Sequence, residues 1–499
     1  MKHPKKTAAR ATLSAKAAKK ATGRKAASSK RAKAKAKARG RYRATTPGAG
    51  YIPPSFVTRE DCIRTSNAVL GLPDRPVIER EDIFRISAVG LDWDIGTMVY
   101  EPEPADSIAR GADGKKIGFL LLHGGSGDCK SMQVLSRLFA RKFGCKVVAF
   151  TFPGRTCFDS PTRDWPDDTI HADGNVRLPM WQIGERITRE QYDLVQDDTK
   201  RFRYGTRTVA RAKPGTRFHD RMAGWPIAFE DALKEACRRN FPVGEFSIYV
   251  HGHSTGGPFV SMLTQRVENI AGAIAVENSP FGYIQEAQHA WSGSLGKIGN
   301  FRRVTKKAAP RRDPFDELYI RTWRDLARYR GPEALGQEGP QALMRLPWLM
   351  EEILDAWNAA KSRPQFKAEY IVTHNILGSL RAAAKATAER LRLDEKATKA
   401  LIGRYLSLTR EIKGPKAKPV PPFLFALSKD SRDHSPEVYQ AVVVPMFKKM
   451  RPAPRVAVCR FGAGVHTYVK PEPDLPNGIG PVVAQVFMNA IQGGYYVVR

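Results

Sequence analysis

Ten residues constrain this chain more than any others: Tyr249-Val250-His251-Gly252-His253-Ser254-Thr255-Gly256-Gly257-Pro258. Just before them, Phe246 to Val250 is a short run of aromatic and β-branched residues, the pattern of a buried strand. Just after, Phe259 to Val267 can run as a helix, with Pro258 suited to its first turn. Between the two sits Gly252-x-Ser254-x-Gly256. A serine on so sharp a strand-to-helix turn is held in a strained backbone conformation with its hydroxyl pushed outward. The residues two before and two after it must be minimal, because strand and helix backbones nearly touch there. The helix start also offers free N–H groups and a positive dipole end to a developing oxyanion. Three fixed positions in five arise by chance in glycine-rich chains. The pattern therefore gains weight only if a glycine loop lies upstream and an acid and a histidine lie downstream, in that order.

The flanking chain supplies them. From about residue 80, Ile83–Val89 and Gly96–Tyr100 predict a pair of edge strands. Ile117 to Leu122 is a continuous apolar run, as expected of a central parallel strand. It ends in His123-Gly124-Gly125-Ser126-Gly127. Residues 130–143 predict an amphipathic helix and Val147–Phe152 the next strand, together a right-handed crossover. Residues 155–224 carry no pattern that assigns them. A helix over 226–239 leads into the elbow strand, and Gly272–Val276 is a further buried strand. Residues 285–412 read as helical throughout, including a Lys/Arg/Ala-rich helix over 379–410. A Pro/Lys-rich linker from Lys413 to Pro422 then leads to strands Phe423–Leu427 and Arg455–Cys459 and a terminal helix, Val482–Ile491.

Strand-ending His123-Gly124-Gly125, the elbow, acidic residues beyond Phe423–Leu427 and His466 beyond the last strand together resemble the α/β-hydrolase superfamily. The resemblance covers roughly 80–284 and 420–499. It implies an eight-stranded, mostly parallel sheet flanked by helices, with the active site at the carboxyl ends of the strands. It also implies a helical cap, 285–412, inserted after the sixth strand. The organisation expected is therefore a basic tail over 1–50, core over 51–284, cap over 285–412 and core over 413–499.

In that frame Ser254 is the candidate nucleophile of a serine hydrolase, and its weakly acidic hydroxyl needs a base within hydrogen-bond reach. His466 is the candidate base, with His434 its competitor. His251 and His253 are expected to pack beside the elbow and His123 to brace its loop. The acid is expected at Asp430, nearest the strand end, with Asp433 and Glu277 as alternatives; whichever serves orients the imidazole and stabilises its charged form. The backbone N–H groups of Thr255 and Gly125 are the expected oxyanion donors. The expected reaction is cleavage of a carboxylic ester, with amide, thioester and acyl-transfer chemistry open to the same triad. A cap carrying Trp323, Trp348 and Trp357 suggests a lipid-like or other acyl-bearing substrate.

No metal-ligand spacing and no phosphate-binding glycine pattern occurs, so neither metal nor nucleotide cofactor is expected. The six cysteines form no C-x-x-C pair, which suits a reducing compartment. No segment approaches the roughly 20 apolar residues of a membrane span, and no secretory signal is visible, so a cytoplasmic location is expected. Net charge is +32 and unevenly placed. Residues 1–50 hold 17 of the 82 Lys and Arg and no acid, leaving 65 bases against 50 acids in the remainder. Residues 1–45, rich in Ala and Lys and nearly without large apolar side chains, cannot bury enough surface to fold alone and are expected to be disordered. They resemble the tails of linker-histone-like proteins. Such a tail could hold nucleic acid or an anionic membrane without sequence readout, which leaves a non-enzymatic, polyanion-associated role on a hydrolase scaffold as a further reading. Oligomeric state is not encoded in any pattern here.

Overall fold

The computed structural model describes residues 50–124, 128–154, 181–185, 187–197, 207–213, 215–254, 256–264, 266–277, 384–407, 420–430 and 453–498, with isolated positions 381, 444 and 448. The basic leader, most of the expected cap with its three tryptophans, His434 and the greater part of the linker lie outside them. Among the described residues no helix is long and apolar enough to cross a membrane.

The elements follow one another as strand β1 (Phe56–Val57), helix α1 (Arg59–Leu70), β2 (Val77–Ala88), β3 (Leu91–Pro102), β4 (Lys116–Leu122), α2 (Gln133–Arg137) and β5 (Lys146–Phe150). A ribbon of β6 (Tyr192–Asp197) and β7 (Arg207–Ala212) precedes α3 (Arg217–Asn240), β8 (Phe246–His253), α4 (Gly256–Leu263) and β9 (Ile270–Val276). Then come α5 (Glu395–Ser407), β10 (Phe423–Leu427), β11 (Val456–Phe461), β12 (Pro476–Ile479) and α6 (Gly480–Gln492).

Nine strands form one sheet in the order β1-β11-β10-β9-β8-β4-β5-β3-β2. Neighbours pair in parallel except at β2–β3 and β3–β5. This is the mostly parallel sheet expected from sequence, extended by β1. That two-residue strand and α1 carried no sequence pattern, yet they close the far edge beside β11. The expected edge pair is the β2–β3 hairpin, of which β2 is the true edge and β3 is interior, paired to β5.

Apolar runs without alternation became central strands because both sheet faces are covered. All five residues of β5 and of β10 are buried. On one face, Phe150, Phe152, Trp225, Phe229 and Phe259 interlock, with ring centroids 4.8 to 6.2 Å apart. This cluster seats α4, and hence the elbow, against α3. It also explains why α3 starts at Arg217 rather than at Pro226: Trp225 Nε1 donates to Pro153 O at 2.8 Å and Arg221 Nη1 to Asp92 O at 2.6 Å. Tertiary contacts of that kind override the proline signal. On the other face α6 lies almost wholly buried. The predicted helix over 379–410 is broken: Arg392 has a positive φ of 51°, and Asp394 restarts α5 by accepting from Ala397 N at 2.7 Å.

The sheet reverses its winding at β4, with β5 on one side and β8 on the other. A crevice at such a reversal, beyond the carboxyl ends of the strands, is where this architecture binds ligands. Leu122 stands in register with Gly252, and His253 with Val276. The loops after β4, β8 and β9 are thereby brought together.

Candidate active site

The turn after β8 has the geometry its sequence demands. Ser254 adopts φ 51°, the left-handed region, between the end of the strand and Gly256, which opens α4. Its N–H donates to Val276 O at 3.1 Å, and its carbonyl accepts from Gly257 N at 3.1 Å. A Cβ on Gly252 would sit 2.5 Å from Val260 Cγ2 and 2.6 Å from Gly256 O. On Gly256 it would meet the carbonyl oxygens of Leu122 and His123, both at 2.7 Å. Neither distance is compatible with any side chain, so both positions require glycine.

Ser254 Oγ lies 3.2 Å from His466 Nε2, although the two residues are 212 apart in sequence. His466 stands on the loop beyond β11. Lys429 N donates to Ala463 O and Asp430 N to Gly464 O, both at 3.0 Å, and Gly464 N to Glu472 Oε1 at 2.8 Å. On the far side of the imidazole, Nδ1 is 3.8 Å from Glu277 Oε2. Glu277 directly follows β9, has φ 51° and is fully buried; its other oxygen accepts the N–H of Ser428. An imidazole so placed can take a proton from a hydroxyl, and a buried carboxylate behind it favours the charged ring.

The carboxylate facing His466 is thus Glu277 and not Asp430, the acid first expected. Asp430 is exposed. Beyond Ser428 the backbone runs alongside the base loop, Asp430 bridging in parallel to Val465, and the Asp430 side chain ends in solvent. Its part here is to brace the loop through its backbone. A signal was available: Asp430 sits among Lys429, Arg432 and Asp433, a solvent-facing composition, whereas Glu277 follows five apolar or small residues of a buried strand. Asp433, Thr255 and Gly125 lie outside the described residues.

His123 is buried. Its Nδ1 is 2.6 Å from Gly124 O, and its Nε2 accepts from Phe152 N at 3.2 Å. A carbonyl can only accept, so the proton is on Nδ1, and the ring ties its loop to the chain beyond β5. A Cβ on Gly124 would lie 3.4 Å from Ser254 Cβ, so this loop approaches the elbow closely. His251 and His253 do flank the elbow. His251 Nε2 lies 3.1 Å from Tyr468 Oη, and His253 Nε2 lies 3.0 Å from His466 O. Among the described residues no group of three or more His, Cys, Asp or Glu could hold a metal ion.

A mixed sheet reversing at β4, a left-handed serine after β8, and a histidine and a carboxylate at the ends of β11 and β9 define the architecture. The chain has the α/β-hydrolase fold. No family model and no curated protein matches it. Among solved structures it is similar to a soluble variant of a monoglyceride lipase from Saccharomyces cerevisiae, at 9% identity and TM-score 0.36, covering 86% of this chain and 98% of that one. It is similar to an esterase from Rhizomucor miehei at 12% identity and TM-score 0.34, covering 88% and 91%. It is likewise similar to a bacterial membrane phospholipase A at 12% identity and TM-score 0.31, covering 86% and 89%. The α/β-hydrolase assignment is defined by strand order and elbow geometry within this chain.

Proposed function

We propose that the protein is a serine hydrolase that cleaves a carboxylic ester through an acyl-enzyme, with Ser254 as nucleophile, His466 as general base and Glu277 as the acid that orients it. The observation that carries this reading is the 3.2 Å contact between Ser254 Oγ and His466 Nε2 at a left-handed turn. A strained serine that merely closed a loop would have no reason to face an imidazole on a distant segment.

In the first half-reaction His466 Nε2 takes the hydroxyl proton as Oγ attacks the acyl carbon. The same nitrogen then protonates the departing alkoxide, and the C–O bond of the ester breaks. Water repeats the sequence on the acyl-enzyme and restores Ser254. The oxyanion would be met at the N-terminus of α4 and by the loop after β4, with the Thr255 and Gly125 N–H groups as donors. One such donor contributes about 3 kcal/mol to transition-state stabilisation. Glu277, fully buried and beside Nδ1, would hold the imidazolium in place; its resting separation of 3.8 Å would have to shorten by roughly 1 Å on reaction to become a hydrogen bond.

A fluorophosphonate probe followed by peptide mapping tests this directly. The expected adduct is on Ser254, absent in Ser254→Ala, and that variant loses turnover of a p-nitrophenyl ester panel while melting as a folded protein. Full turnover by Ser254→Ala would overturn the assignment. The chain-length profile across the panel reports how large an acyl group the site accepts.

A further inference from the structure

Strand β8 and the turn that follows it place three chemistry-bearing residues, His251, His253 and Ser254, within four positions, and the proposed reaction uses only the last of them. Residues two apart on a strand share a face, so His251 and His253 project to the same side, toward the loop that carries His466. That loop presents His466 and Tyr468, also two apart. The contacts match crosswise: His251 Nε2 to Tyr468 Oη at 3.1 Å, and His253 Nε2 to the carbonyl oxygen of His466 at 3.0 Å. We propose that His251 and His253 are positioning residues, a two-point clamp by which the nucleophile's own strand sets where the base loop stands.

Donor chemistry fixes the outer point. The His466 carbonyl can only accept, so His253 carries its proton on Nε2 and donates it. The imidazole rings of His253 and His466 lie 5.3 Å apart, which makes His253 a lateral wall for the base as well as a tether. The inner point is a neutral pair. His251 is fully buried, and desolvation lowers its pKa to about 3. Burial likewise raises the Tyr468 phenol above its ordinary value, so it stays protonated. A neutral, buried hydrogen bond is insensitive to salt and to ordinary pH, as a fixed mount requires.

The clamp acts on the distance that matters for proton transfer. Backbone bonds already hold the loop at Ala463 and Gly464 before the histidine, and at Tyr468, whose carbonyl accepts from Ile479 N at 2.8 Å. His466 lies between those anchors, and His253 grips it there. A misplacement of about 1 Å at a reacting group can cost on the order of 100-fold in rate.

The clamp's catalytic role rests on the hydrolase reading, and the test separates the two. Fluorophosphonate labelling rate, ester kcat and KM, and thermal melting are measured for wild type, His253→Leu, His253→Asn and His253→Gln. Gln can put an amide N–H where Nε2 was, whereas Asn reaches only as far as Nδ1 and Leu donates nothing. The expected result is labelling and kcat reduced roughly 10- to 100-fold in His253→Leu and His253→Asn, with KM little changed, and rescue in His253→Gln. Tyr468→Phe, which deletes the inner contact, lowers kcat in the same direction. Wild type labelled at Ser254 with undiminished rates in both His253→Leu and His253→Asn sinks the clamp alone. So does equal loss in Gln, Asn and Leu tracking a fall in melting temperature. Wild type without any adduct on Ser254 sinks the hydrolase reading and the clamp's catalytic role with it.

Discussion

Replacing Glu277 with Gln removes one charge and turns the atom facing His466 Nδ1 from an acceptor into a donor, with little change in shape. The amide oxygen can still accept the Ser428 N–H, and the side chain keeps its volume, so the fold should melt close to wild type. What disappears is the attraction between a carboxylate and the imidazolium formed when His466 takes the serine proton. With Glu277 fully buried and 3.8 Å from Nδ1, Coulomb's law at an effective dielectric of about 20 gives about 4 kcal/mol. That is about a 1,000-fold loss in kcat/KM at 1.36 kcal/mol per tenfold. Asp430, exposed and turned to solvent, is worth no more than a surface charge, so Asp430→Asn should cost less than about fivefold. The assay is kcat/KM on a soluble p-nitrophenyl ester, with labelling rate as a second readout and melting temperature as the control. If Glu277→Gln keeps more than a tenth of wild-type activity, or if Asp430→Asn loses as much, the assignment of the acid is wrong.

Other consequences are checkable by similar means. Ser254→Gly should be inactive yet more stable than Ser254→Ala by about 1 kcal/mol, since φ 51° strains alanine but not glycine; equal denaturant midpoints would argue against a strained turn. Gly256→Ala would put a methyl 2.7 Å from two backbone oxygens and should cost at least about 3 kcal/mol and abolish labelling; a folded, labelled variant would contradict the packing described. His251 stays neutral in the native state to about pH 3, whereas the unfolded chain takes up its proton near 6.5. The unfolded state thus binds more protons in that window, so stability falls as pH drops from about 6.5 toward 3. His251→Gln should flatten that limb in thermal melts, and an unchanged slope would place the acid sensitivity elsewhere.

Much of this was legible in the chain because the elbow makes demands that few residues satisfy. Gly252, Ser254 and Gly256 announce themselves, since two positions exclude any side chain and one must present a hydroxyl. The pairing of His466 with Ser254 was legible from its place just past the predicted strand Arg455–Cys459. Which carboxylate faces His466 was only half legible: Glu277 and Asp430 both stand at the carboxyl ends of neighbouring strands, so spacing alone does not separate them, and only the composition around each hints at which side chain turns inward. That depends on how Ser428 and the residues after it lie along the base loop, a contact between segments far apart in sequence. Strand β1 was missed for a related reason: Phe56 and Val57 are two residues that become a strand only because β11 offers them an unpaired edge. The two histidines before the serine read as packing residues, since nothing local reveals that Tyr468 and the His466 carbonyl would come to meet them.

The serine and its carboxylate lie ahead of the long connection between β9 and β10, while the imidazole lies behind it. Severing the polypeptide there would leave two-thirds of the proposed proton relay on one fragment and one-third on the other. On the proposed function neither fragment turns over an ester alone, so restored cleavage on mixing them would be an optical signal that the two halves of the sheet had found each other.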